Sequence, residues 1–443
     1  MLSVSELEAL YRDKKAIIGV VGLGYVGMPL AIAAWTSGYQ VVGFDIDGEK
    51  VDSINSGKSY LKHIPNEAIA AAVDSGHLRA TNRFEDVRGV NAIIICVPTP
   101  LTMHREPDLT FIENTAKAIA PHIQTGQLIS LESTTWPGTT IEVVKPILEH
   151  GGLRSGWDFY LVFSPEREDP GNEHFSTKSI PKIVGGDDPA ALQIASAMYG
   201  SIISRVIPVS STKVAEAVKL TENIFRAVNI ALVNELKLVY DAMGIDVWEV
   251  IDAAKTKPFG FMPFYPGPGL GGHCVPIDPF YLTWKAREYE LSTRFIELAG
   301  QINTAMPHHI VQKTADSLDS FSSRGLRNAK VLIIGIAYKK NVEDTRESPA
   351  VKLIELLERR GAKVDFYDPH VSHIPRMREY PNLVGRAGMR WDTQAIRDYD
   401  VVLIATDHDS VDYADLVKHS KLVVDTRNVC ARKGVSASHI VKA

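Results

Sequence analysis

The sequence predicts an α/β protein in which two doubly wound, Rossmann-like domains are joined by a long central helix and a helical dimerisation domain. Three observations predict it. Residues 16–47 read as strand, glycine turn, helix, glycine and a strand ending in Asp45. Residues 330–369 repeat that order and end in Asp368, and between the two lies a stretch from Ser211 to Met243 patterned as one helix. The expected boundaries are an α/β domain over 1–207, the helical dimerisation domain with a cysteine-bearing glycine loop over 208–317, and a second α/β domain over 318–443.

In order along the chain, a short polar helix (3–12) precedes the strand AIIGVVGLG. A helix from about Tyr25 to Ser37, a turn at Gly38 and the strand QVVGFDID close the first βαβ unit. NAIIICVP (91–98), LISLES (128–133) and DFYLVFSP (158–165) are further strands alternating with helical segments. The long helix stops at Gly244, and the next begins where Asp246 with Glu249 resembles a capping box. KVLIIGIAY, the helix SPAVKLIELLERRG, KVDFYDP, VVLIAT (401–406) and LVVDTR (422–427) make the second α/β unit, which lacks GxGxxG and is not expected to hold a dinucleotide as the first does.

At 443 residues the chain exceeds what one hydrophobic core supports. A net charge of −5, from 48 basic and 53 acidic residues without long single-sign blocks, gives no electrostatic grip on nucleic acid. The cysteines, Cys96, Cys274 and Cys430, are far apart and odd in number, which fits a reducing cytoplasm rather than a disulfide framework. The uncharged stretch 16–44 after Lys14 and Lys15 mimics a membrane anchor, but its glycines and Pro29 break it into strand, turn and helix.

Gly22-Leu23-Gly24-Tyr25-Val26-Gly27 is a GxGxxG string between a strand and a helix, with Asp45 ending the next strand. The first glycine permits the turn, the second admits pyrophosphate to the helix N-terminus, and the third lets helix and strand pack. Gly22, Gly24, Tyr25, Val26, Gly27 and Asp45 are therefore expected cofactor contacts. A carboxylate at 45 suits ribose hydroxyls and repels a 2′-phosphate, so NAD is expected rather than NADP. The alternative is a glycine turn with no ligand.

Cys274 lies in GPGLGGHCVPIDP, a loop that glycine and proline keep from being helix or strand. Three roles compete. A structural thiol would sit on an apolar strand, as Cys96 and Cys430 are expected to; a metal ligand would need a partner at usable spacing, which His273 and Asp278 do not supply; a nucleophile would want glycines that let substrate approach and a nearby acid or base such as Asp278. Lys219, Asn223 and Arg226 form one stripe of the long helix, either a solvated face with Glu216 and Glu222 or a set of donors to an oxyanion, and periodicity does not separate the two. Glu166 in SPEREDPGN follows a strand end and is an acid or base candidate, or one charge on a surface loop. Lys339, Asp344 and Arg346 follow the first strand of the second α/β unit, as an anion clamp or as helix capping.

Taken together, GVVGLGYVGMPLA, CVPTP, ESTTWPGTT, SPEREDPG, AEAVKLTENIFRAVNIALVNE, PGPGLGGHCVPIDP, AYKKNVEDTRESPA and VDTRN resemble the nucleotide-sugar 6-dehydrogenase family, the UDP-glucose and GDP-mannose dehydrogenases and their N-acetyl relatives, from about Lys15 to Asn428. The resemblance implies four-electron oxidation of the sugar C6 alcohol to a carboxylate with two NAD consumed, through a Cys274 thiohemiacetal and thioester. It implies oxyanion roles for Lys219 and Asn223, an aspartate beside the nucleophile at Asp278, an active-site threonine at Thr134 and a base for thioester hydrolysis at Glu166. Thr99, Thr134 and Arg346 become cofactor contacts. Glu166, Arg167, Lys219, Asn223, Phe264, Tyr265, Gly269, Gly271 and Lys339 become contacts of the UDP-sugar. A homodimer or higher homo-oligomer is implied, and no metal.

One departure bears on the substrate. UDP-glucose dehydrogenases carry a second glutamate four residues after the first in this loop, where this chain has Pro170. The form SPEREDPGN resembles the UDP-N-acetylglucosamine branch, which makes precursors of surface polysaccharides; UDP-N-acetylmannosamine and then UDP-glucose are the alternatives. Two rival classes remain at this stage, a two-electron hydroxyacid dehydrogenase that would survive loss of the thiol, and a non-catalytic sensor of dinucleotide and sugar nucleotide.

Overall fold

The structure is a computed structural model that describes residues 2–61, 64–102, 106–167, 177–272, 275–377 and 379–443. Cys274, His273 and most of SPEREDPGN lie outside the described residues. By contact the chain divides into two compact units, Met1–Glu222 with Phe280–Ser292, and Asn223–Pro279 with Thr293–Ala443.

The first unit is built on an eight-stranded sheet in the order β3-β2-β1-β4-β5-β6-β7-β8. Its strands are β1 Ile17–Val21, β2 Gln40–Phe44, β3 Leu78–Thr81, β4 Ala92–Ile95, β5 Leu128–Leu131, β6 Tyr160–Phe163, β7 Lys182–Gly186 and β8 Val206–Val209. β3 through β6 pair in parallel, in the doubly wound order that leaves a crevice between β1 and β4, whereas β6 and β7 are antiparallel. Strands β4, β5 and β6 are buried along their whole length, which is why AIII, LISL and YLVF read as continuous apolar runs rather than alternating ones. Each fully buried Ile or Leu side chain there contributes about 1.5–3 kcal/mol. The helix Val4–Arg12 begins with Ser3 and Glu6 in a reciprocal capping box and packs Leu7 and Tyr11 into the same core.

The second unit carries a five-stranded, all-parallel sheet, β10-β9-β11-β12-β13. Its strands are β9 Lys330–Ile334, β10 Lys363–Tyr367, β11 Val401–Ile404, β12 Val423–Asp425 and β13 Ile440–Lys442. The helix Pro349–Arg359, capped by Ser348, and the helix Arg294–Ser322 pack on it, with Ile310, Val311, Leu353 and Ile354 in one core cluster. The long helix runs Thr212–Met243, close to its expected span, and ends against Gly244 at φ +69°. Asp246 caps the following helix by accepting from the backbone N–H of Trp248 and Glu249.

Asp368 occupies in the second unit the place that Asp45 holds in the first. Its Oδ2 accepts from the N–H groups of Ile336 and Ala337 at 2.7 and 3.0 Å and from His408 Nε2 at 3.0 Å. Asn341 N–H donates to His408 Nδ1, so the proton on that buried ring sits on Nε2. The carboxylate is spent on its own turn, the physical counterpart of the missing GxGxxG. Burial would raise its pKa, but the hydrogen bond from His408 and the N–H groups of Ala337 and His370 outweigh burial and hold it below the ordinary carboxylate value. Asp368→Ala is expected to lower the unfolding free energy by about 3 kcal/mol in urea titrations at neutral pH. Because the folded-state value is depressed, the wild-type advantage should persist above the ordinary carboxylate range and fade on acidification below it.

Candidate functional site

In the first unit β1 delivers the chain to Gly22, whose φ of +89° excludes other residues at low cost. A Cβ on Gly27, the first residue of the helix Gly27–Thr36, would stand 1.9 Å from Gly22 O, so helix and turn approach as only glycine allows. A Cβ on Gly24 would meet nothing within 4 Å. Tight at two positions and open at the third, the string fits a pyrophosphate laid on the helix N-terminus. Asp45, buried at the end of β2, accepts from Leu23 N–H at 2.9 Å and Asp47 N–H at 3.0 Å, with Lys50 Nζ at 3.4 Å. The turn and the Asp45 carboxylate are thus one hydrogen-bonded piece, and these residues fit NAD. Tyr25 and Val26 lie at the start of the same helix.

Thr99 and Thr134 follow β4 and β5 at the carboxyl edge of the sheet, where doubly wound folds bind ligands. Thr99 is buried and its carbonyl accepts from Tyr281 at 2.7 Å. Thr134 is half-buried, and Trp136 beyond it packs on Tyr281 and Trp284. Cys96, expected in the core, is only half-buried: β4 ends at Ile95, and the next residue meets the glycine turn at the sheet's rim, with its carbonyl 2.5 Å from where a Gly22 Cβ would be. Cys430 is 1% exposed, as expected, and burial pushes its thiol far up.

The stripe on the long helix is not a single solvated face. Lys219 and Asn223 are 5% and 4% exposed and Glu216 is fully buried, while Arg226 is exposed. Lys219 Nζ donates to the Glu166 carbonyl at 2.6 Å and stands 3.4 Å from its carboxylate. Arg167 is held by Glu222, at 2.7 Å from Nη2, and by the Pro181 carbonyl. A buried ammonium held on a carboxylate at a strand end can donate to an oxygen that gains charge.

In the second unit Asn223 Nδ2 donates to Asp278 Oδ2 at 2.5 Å, and Asp278, 1% exposed, opens the helix Asp278–Ala286. Cys274 itself lies outside the described residues, but both shoulders of its loop are placed. Asn234 accepts from Gly267 N–H and donates to Asn303, which donates to Ala227 O, all buried. Cβ atoms on Gly271 and Gly272 would lie 2.7 and 2.9 Å from Tyr338. These two glycines therefore let the loop pack closely on Tyr338 within its own unit. Gly269, at φ +140°, packs on Pro349 and Pro307.

Phe264 meets Phe225 edge to face, and Tyr265 is 43% exposed with its hydroxyl on Asp252 and Lys255. Lys339 is half-buried, and Arg346 grips Asp344 through Nε and Nη2. Sequence reasoning missed Arg427. Its guanidinium lies 2.5 Å from where a Gly267 Cβ would be, its Nε donates to Ala405 O, and burial lowers its basicity. The signal was available in VDTRN, an arginine at the end of a parallel strand. Among the described residues no group of three or more His, Cys, Asp or Glu could hold a metal, and no helix is long and apolar enough to cross a membrane.

Comparison with known proteins bears on what this arrangement does. The chain matches the UDP-glucose/GDP-mannose dehydrogenase family in three parts, the NAD binding domain over 16–203, the central domain over 213–305 and the UDP binding domain over 332–432. It is 35% identical to UDP-N-acetyl-D-mannosamine dehydrogenase of Pyrococcus horikoshii, over 93% of this chain and 95% of that one. It is 36% identical to UDP-N-acetyl-D-glucosamine 6-dehydrogenase of Pseudomonas aeruginosa, over 82% and 85%. The solved structure of the Pyrococcus horikoshii UDP-D-ManNAc dehydrogenase superposes with a TM-score of 0.83 at 36% identity, covering 93% of this chain and 96% of that one.

Gly27→Ala is expected to abolish NAD binding by calorimetry. Asp45→Ala should weaken it about tenfold while narrowing the preference for NAD over NADP.

Proposed function

The chain belongs to the UDP-glucose/GDP-mannose dehydrogenase family of NAD-dependent oxidoreductases, and from that premise we propose that it oxidises the C6 hydroxyl of UDP-N-acetylglucosamine to the carboxylate. The observation that carries the reading is the pair of buried polar contacts, Lys219 on Glu166 and Asn223 on Asp278, on residues that the family resemblance marks as catalytic. Support for the N-acetyl substrate comes from Pro170 in place of a second glutamate and from the Pseudomonas aeruginosa relative. UDP-N-acetylmannosamine is the second reading, favoured by the Pyrococcus horikoshii relative and its greater coverage.

In this proposal NAD, bound at Gly22, Gly24, Tyr25, Val26, Gly27 and Asp45 with Thr99, Thr134 and Arg346, supplies the hydride acceptor for both oxidations. Lys219 and Asn223 donate to the C6 oxygen as it gains charge, Lys219 taking its orientation from Glu166. An aldehyde gives up a second hydride readily only after a nucleophile has added, and Cys274 Sγ supplies that nucleophile, forming a thiohemiacetal and then a thioester. Glu166 takes a proton from the attacking water that cleaves the thioester, and Asp278 holds Asn223. Phe264, Tyr265, Gly269, Gly271, Lys339, Arg167 and Arg427 serve the UDP-sugar.

We assign the same domain roles as the sequence suggested: NAD binding over 1–207, dimerisation over 208–317 and UDP-sugar binding over 318–443. The partner is a second copy of this chain. Phe225, Leu232, Val239 and Met243 are exposed along the long helix at spacings of seven, seven and four residues, an apolar stripe suited to another such helix. The setting is the cytoplasm, and the product is a precursor of surface polysaccharide.

The test is NADH released per UDP-sugar consumed, by wild type and Cys274→Ser, with UDP-GlcNAc, UDP-ManNAc and UDP-glucose in parallel. Two NADH and collapse of turnover in the variant are expected, with UDP-GlcNAc the best substrate. One NADH and an indifferent variant would sink the thioester route.

A further inference from the structure

Glu216 has no role in the chemistry above, yet it is among the most buried acids in the first unit, at 0% exposure. It lies one turn before Lys219 on the long helix. Its Oε2 accepts from Gly138 N–H at 2.5 Å, and its Oε1 accepts from Thr140 N–H at 2.9 Å and Thr140 Oγ1 at 2.6 Å. Gly138 and Thr140 belong to ESTTWPGTT, the segment that carries Thr134, where it enters a widened helical turn over Thr140–Val144 continued by Lys145–Glu149. The first N–H groups of a helix have no partner within it, and here a side chain from another element supplies one.

We propose that Glu216 is a positioning residue for the oxidation: its carboxylate latches the Thr134 segment to the turn of the long helix that bears Lys219. The proposal rests on the reading that Thr134 and Lys219 serve the reaction. The ionised carboxylate accepts from all three groups without bringing a donor of its own, whereas a protonated one puts an O–H where two backbone N–H groups already point and weakens the acceptors that hold them. Burial pushes Glu216 up to about 7 against the pull of those donors, and Glu142 adds repulsion. Glu142 lies against Gly138 and is itself held by Lys213 at 3.1 Å and Lys285 at 2.7 Å. The latch should therefore close above neutrality and open below it.

The experiment compares wild type, Glu216→Gln and Thr140→Val as a function of pH, reading kcat/KM with the best UDP-sugar, NAD affinity, and amide exchange at Gly138 and Thr140. An amide at 216 presents one acceptor and one donor group and mimics the protonated acid. Expected are a wild-type kcat/KM that falls on acidification through about pH 7 and a Glu216→Gln enzyme about tenfold lower above that pH, with the inflection gone and NAD affinity, to which Thr134 is one contact among several, falling far less than kcat/KM. Exchange at Gly138 and Thr140 should be faster in that variant. Thr140→Val, which removes one of the three donors, should show a smaller loss of the same sign, and it carries the test if Glu216→Gln does not fold. Profiles that coincide with wild type, or equal loss of NAD affinity and turnover, would overturn the proposal. No NADH from wild type with any UDP-sugar would instead overturn the functional reading, and the positioning role with it, while amide exchange still reports the latch.

Discussion

A parallel strand that ends at a tight turn leaves backbone N–H groups pointing out of the sheet, and both units meet this demand with an acid at the end of the neighbouring strand. In the first unit Asp45 takes the N–H of Leu23 and that of Asp47. In the second unit Asp368 takes those of Ile336 and Ala337, two more beyond its own strand, and His408. The position of each turn, and of the helix that follows it, depends on that one acceptor. In the glycine-rich turn of the first unit a Cβ on Gly24 would meet nothing within 4 Å, whereas in the second unit a buried histidine completes the acceptor's shell.

The same economy governs the polar groups around the proposed reaction centre. Lys219 is buried on Glu166, and Glu132 pairs at 2.6 Å with Lys182 while accepting from Tyr199. Buried charges of this kind cost desolvation and persist when they are paired and hydrogen-bonded. The pKa of Tyr199 is itself held well above its ordinary value, by burial first and by Glu132 next, so its hydroxyl remains a donor at any physiological pH. The carboxyl edge of the first sheet is thus lined by fixed donors and acceptors, the preorganised environment that charge development requires.

Much of this was legible in the sequence because the strongest periodicities carry it. The strands β1, β2, β4, β5 and β6 are apolar runs bounded by turns, and the long helix keeps its stripe over its whole length. The short β3 and β13 and the half-exposed edge strand β8 with Pro208 give no clear period, and the buried, antiparallel β7 was hidden by the two glycines that end it, so none of the four was read. The stripe of Lys219, Asn223 and Arg226 shows a different limit. Periodicity finds residues that share a face, but burial splits that face between Asn223 and Arg226, and burial is a property of what packs there. Arg427 escaped for the same reason, being an ordinary residue in the string until the glycine loop is seen beside it.

The loop that leads to Cys274 is supported differently from the first unit's charged clusters. Asn234 and Asn303, both uncharged, bond to each other at 2.9 Å, and each also reaches a backbone group, Gly267 N–H on one side and Ala227 O on the other. An apolar residue at either position would strand the other amide and one backbone group in a dry interior, whereas a concerted exchange could refit the space. The two asparagines, far apart in the chain, are therefore energetically coupled: replacing one leaves the other's amide without its partner. A change at one position is thus tolerated only with a matching change at the other, and the backbone at Gly267, on the way to the thiol, carries that constraint.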